Sequence, residues 1–145
     1  NAGLHNIYVV IHHQFEQENL MPMTLCYKKA AKRAEMAYME QTHGRGWWGS
    51  ESYKDYYENL GGNDDPFSRI KVIPTMSTEV QNATGYDHAG KYESSLMYAL
   101  YPNHVDLERT KKNTEWFALN AVETSMELGQ HMVKCTLEAL EEIIK

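Results

Sequence analysis

The stretch Asn6-Ile-Tyr-Val-Val-Ile11 is β-branched and aromatic with no polar alternation. That pattern suits a strand covered on both faces in a parallel sheet. Directly after it come His12-His13-Gln14-Phe15-Glu16-Gln17-Glu18-Asn19, and then a helix that Pro22 opens at its first turn and Gly44 closes. The polar cluster therefore falls at the carboxyl end of a strand. In open α/β sheets that edge is where ligands bind, because loops converge there while helices cover the faces.

The rest of the chain fits the same plan. Residues 44–65 are rich in Gly, Tyr, Trp and Asn, with Gly46-Trp47-Trp48-Gly49 and Gly61-Gly62-Asn63-Asp64-Asp65-Pro66 inside them. They read as a long surface excursion with one helical turn near residues 52–59, and loops of that length in compact domains are usually functional. Ile70-Lys-Val-Ile-Pro74 reads as a second strand that the proline stops. A helix is expected over residues 89–101, ended by Pro102, and a longer one over residues 114–144. In the latter, Leu119, Val122, Met126, Val133, Leu137, Leu140 and Ile144 recur at helical spacing and predict one apolar stripe. No internal repeat and no low-complexity tract is present.

Composition narrows the function. With 145 residues, a formal charge of −6 and no clustered Lys/Arg stripe, the chain lacks the electrostatic footprint of a nucleic-acid binder. Cys26 and Cys135 each sit in a helix-like apolar pattern, which argues against a disulfide framework or a Cys-type zinc site and fits a reducing, cytoplasmic setting. The longest aliphatic run is far below the roughly 20 residues that span a bilayer, so no membrane partner is expected. A small-molecule ligand is. The chain starts at Asn1 and enters a strand almost at once, as a polypeptide beginning in mid-fold would.

Two segments carry chemistry. His12, His13 and Glu16 lie within five positions at a strand end, and imidazole with carboxylate suits zinc, manganese or iron(II); the competing reading is an adjacent histidine pair kept for hydrogen bonding. Gly85-Tyr86-Asp87-His88-Ala89-Gly90-Lys91-Tyr92-Glu93-Ser94-Ser95 puts a glycine-bounded histidine just before a helix. Glu93 aligns there with Ala89, Leu96, Met97 and Leu100, where a carboxylate is costly without a donor or cation. The structural reading is that Glu93 braces its own loop by accepting backbone amides. Trp47 and Trp48 suit either a lid over a flat substrate or an oligomer contact.

These segments together resemble the creatininase family, whose carboxyl-terminal half has a strand ending in a Gly-His-Gly-Gly-Asn or Gly-His-Tyr-Glu-Asn type motif and later a His-Ala-Gly-x-x-Glu-Thr-Ser motif opening a helix. The second motif stands here as His88-Ala89-Gly90-Lys91-Tyr92-Glu93-Ser94-Ser95, followed by Leu96-Met97; the first departs from the pattern, as His12-His13-Gln14-Phe15-Glu16. The resemblance spans most of the chain apart from about residues 50–69. It implies an α/β fold with three layers, α/β/α, and a mainly parallel sheet. This chain would supply about half of it, as the carboxyl-terminal part of a single domain with an insertion or lid at about residues 44–69. It further implies two divalent metals, zinc, manganese or iron, and hydrolysis of a C–N bond in a cyclic or small amide. His13 is the expected metal ligand, with His12 as the second choice and Glu16 beside it; with the register shifted by one, Gln14 takes that place. His88 is the expected proton carrier and Asp87 its neighbour, with Tyr86, Glu93 and Trp47 or Trp48 toward substrate. The family's remaining ligands come from an amino-terminal half with a Glu-x-His segment, and no Glu-x-His occurs in this sequence. A second polypeptide or a missing segment would supply it, in a homo- or hetero-oligomer. The alternatives are a non-catalytic subunit of such a complex and a deformylase-type hydrolase on the same scaffold.

Overall fold

Where the sequence carries both a start and a stop signal, the elements form as expected. Pro22 occupies the first turn of helix α1 (Pro22–His43), where its missing N–H costs nothing. Gly44 ends that helix at φ 88°, a left-handed value suited to glycine, and its N–H bonds Glu40 O at 3.0 Å. Strand β1 (Ile7–Ile11) and strand β2 (Ile70–Pro74) pair in parallel as a two-stranded sheet. Four further helices follow: α2 (Thr78–Thr84), α3 (Lys91–Leu100), α4 (Leu107–Thr110) and α5 (Met126–Ile144). The computed structural model describes residues 4, 6–13, 21–56, 58 and 65–144, and over these the protein is mostly helical with a small parallel sheet.

The chain divides into two compact units, one comprising Asn1–Ile11 and Asn19–Ile73, the other His12–Glu18 and Pro74–Lys145. In the first, Ile11, Ala31 and Val72 form a small core with Val9 and Ile70 packed against it. Buried Glu35 ties α1 to the start of β2: its Oε1 accepts the Ile70 N–H at 2.8 Å and its Oε2 accepts from Lys32 Nζ at 2.9 Å. The excursion after α1 forms 3-10 turns at Trp47–Gly49 and Glu51–Tyr56. Trp47 anchors it, buried among Trp48, Tyr53 and Phe67. β1 is not covered on both faces within the described residues: Ile11 is buried, but Ile7 and Val10 are exposed.

In the second unit Met76, Val80, Leu96 and Met132 make the core, with Tyr92, Leu128 and Val133 packed on it. α3 crosses α5 at Gly129, where a Cβ would collide with the Ser95 carbonyl. The expected 114–144 helix is in fact two elements. A 3-10 stretch runs over Trp116–Glu123, and α5 starts afresh at Met126, because Ser125 turns the chain and its Oγ accepts the Leu128 N–H at 3.1 Å. The predicted stripe holds only in part, with Val133 packed on the core. Leu119, Val122, Leu137 and Ile144 are all more than half exposed, and α5 buries Gly129, Met132 and Thr136 instead.

Candidate functional site

The loop between α2 and α3 is a braced turn. α2 ends at Gly85, whose N–H bonds Gln81 O at 2.8 Å at φ 91°, and a Cβ there would strike the Tyr92 ring. Helix α3 opens with amides that have no carbonyl partner within the helix, and side chains from the loop and beyond serve them. Asp87 Oδ2 accepts the Tyr92 N–H at 3.0 Å and Oδ1 accepts the Glu93 N–H at 3.1 Å. Asn120 Oδ1 accepts the Lys91 N–H at 3.2 Å, while its Nδ2 reaches Asp87 Oδ2 at 3.4 Å. A carboxylate at this end is also favoured by the helix dipole. Gly90 lets the two side chains close over the helix end, since a Cβ there would collide with Asn120 Oδ1 and with Asp87 Oδ2.

Glu93 completes the brace. Its Oε2 accepts the Ala89 N–H at 2.6 Å, holding Ala89 at φ 54°, a left-handed conformation uncommon for a residue with a side chain. The bracing role read from the sequence thus describes the observed bond. His88, at the apex, is exposed and tilts over the Phe117 ring at 5.4 Å. Nearby, the Glu123 carboxylate bonds Lys91 Nζ at 3.0 Å and, by that bond and its charge, holds the ammonium above its ordinary value of 10.5.

A cavity of about 530 Å³ lies in the second unit, beside this loop. Its wall includes His12, Ala89, Glu93, Met97, Leu100 and Arg109. The two sequence segments therefore meet: the residue that follows β1 and two residues of the His88-Ala-Gly-Lys-Tyr-Glu segment share one concavity. His13 is exposed next to His12. Tyr86, Asp87 and His88 are not among the residues that line it; His88 directly precedes Ala89, which does. Glu16 and Gln14 lie outside the described residues. Trp47 and Trp48 belong to the first unit, and of the two Trp48 has the exposed ring. Sequence reasoning missed Asn120 and Arg109; the one lies about thirty positions from the amide it caps, and the other reads as an ordinary surface charge.

The metal pair implied by the resemblance finds too few donors here. Among the described residues no group of three or more His, Cys, Asp or Glu side chains is disposed to hold an ion. At the strand end the described donors are two imidazoles, and the carboxylates of Asp87 and Glu93 are bonded to backbone amides. These residues do not fit a dinuclear centre by themselves. No protein-family model matches the chain, and no curated protein or solved structure is significantly similar to it.

Proposed function

We propose that this chain forms one wall of the active site of a creatininase-like amidohydrolase that opens the C–N bond of a cyclic or small amide. The carrying observation is the shared cavity, in which His12 from the end of β1 stands with Ala89 and Glu93. Water adds to the amide carbonyl as its proton passes to His88, the C–N bond breaks, and the same proton leaves with the nitrogen. His88 supplies that proton, because it is the exposed titratable side chain at the apex of a turn whose backbone Asp87 and Glu93 fix. A positioned general acid needs a rigid support, and two side-chain braces within seven residues provide one. The three-layer α/β/α fold, the zinc, manganese or iron pair and the missing ligands belong to the same reading, with an amino-terminal half completing the site.

One observation favours a second reading, a non-catalytic subunit: the two carboxylates of the His88 segment bond to backbone amides, as structural residues would. The discriminating experiment incubates the native assembly, with zinc or manganese supplied, with a panel of cyclic and simple amides including formamides, and follows ring-opened or deacylated product. Hydrolysis of a cyclic amide is the expected result. Turnover of formamides alone would point to the deformylase type, and none at all to the non-catalytic subunit.

A further inference from the structure

Arg109 lines the same cavity from α4, and it also lines an adjoining concavity of about 680 Å³ that shares Ala89, Ser94 and Thr110 with it. Among the described residues no ion pair or hydrogen bond engages its guanidinium. The other charged groups on the cavity wall are differently placed. Glu93 Oε2 takes the Ala89 amide, and Asp106 Oδ1 takes the Glu108 and Arg109 amides at 3.0 and 3.2 Å, so both carboxylates are committed to the backbone. The amides at the start of α3 are likewise occupied by Asp87 and Asn120, which removes that helix end as an anion site. Both carboxylates keep their charge and a second oxygen; what singles out Arg109 is a guanidinium on the wall with no partner among the described residues. Met97 and Leu100 add apolar surface to the same wall.

We infer that the cavity binds a small molecule bearing a carboxylate, with Arg109 as the specificity-determining anchor at one end and the amide held toward His12 and Glu93 at the other. A guanidinium presents paired N–H donors that match the two oxygens of a carboxylate, so it fixes orientation as well as affinity. The volume lies within the range of sites for ligands of this size. The inference rests on the amidohydrolase reading for the amide end alone; the carboxylate end stands on Arg109.

The test is direct binding to the native assembly by calorimetry, with 2-pyrrolidinone-5-carboxylate as the acidic probe, 2-pyrrolidinone as its neutral twin and inorganic phosphate as a competing anion. The variants are Arg109→Gln, Arg109→Lys and, as a control in the other unit, Arg33→Gln. The acidic probe should bind more tightly than the neutral one, and Arg109→Gln should weaken it roughly 10- to 100-fold, the scale of a lost charge-assisted pair. Arg109→Lys should recover only part of that loss, and Arg33→Gln should change nothing. Equal affinity for the two probes, no response to Arg109→Gln, no binding of the acidic probe at millimolar concentration, or phosphate competing as strongly as the carboxylate would each overturn the inference. Arg109-dependent binding with no amide hydrolysed would sink the enzyme reading and leave the anchor standing. Hydrolysis of neutral amides indifferent to Arg109 would do the reverse.

Discussion

Each of the two units is stabilised internally in its own way. In the first, two of the four buried residues of α1 are polar, Thr24 and Glu35, and the helix is tied to β2 through a carboxylate. In the second, the buried polar side chains among the described residues, Gln81, Thr84, Ser95 and Thr136, are uncharged, α3 and α5 close on Leu96 and fully buried Met132, and glycine at position 129 permits the approach. The contrast shows where a site can be built with precision. Side-chain caps on a loop are only as rigid as the helix they cap, and the candidate loop is braced onto α3, a helix packed on the Leu96 and Met132 core.

Breaking each kind of support should have a different size. Met132→Ala removes the most buried side chain of the second core and should destabilise that unit by about 2–5 kcal/mol, read as a lower midpoint in urea. A loss under about 1 kcal/mol would mean that α3 and α5 pack less tightly than described. Glu35→Ala should cost less, about 1–3 kcal/mol, because it leaves the Ile70 N–H without its acceptor. Hydrogen exchange should show that loss at Ile70 and along α1, while α5 keeps its protection. Asp87→Ala should have the smallest effect, about 1–2 kcal/mol, the usual range for a helix cap, with faster exchange at Tyr92 and Glu93. Unchanged exchange at those two amides would contradict the bracing.

Much of this was readable in the residues, for reasons that differ by element. α1 lies between a proline and a glycine, and β2 ends on a proline, so steric punctuation marked them. The helix after Gly90 and the bracing role of Glu93 followed from one local segment. The break at residues 124–125 was hidden because the 3-10 stretch before it is apolar, so the helical spacing runs on through a change of direction; Ser125 was the signal, as a capping side chain beside Thr124. α2 escaped because seven residues are too few for periodicity, although Ser77 caps it, its Oγ accepting the Val80 N–H at 3.3 Å. The exposure of β1 was misread because an apolar run cannot tell which of its faces is covered. In the site, the meeting of His12 with Ala89 and Glu93 depends on packing between segments about 80 positions apart, which spacing alone does not encode. Arg109 was invisible for the same reason.

The central claim is that His88 carries a proton to the leaving nitrogen. Its most direct test is turnover per folded site of His88→Ala in the native assembly, on the best substrate of the amide panel, with melting temperature and substrate affinity recorded for the same samples. The proton-transfer role predicts a loss on the order of a hundredfold or more, with affinity and melting temperature close to those of the unsubstituted protein. Turnover per folded site that stays near the unsubstituted value would contradict it and leave His88 as a residue that packs on Phe117.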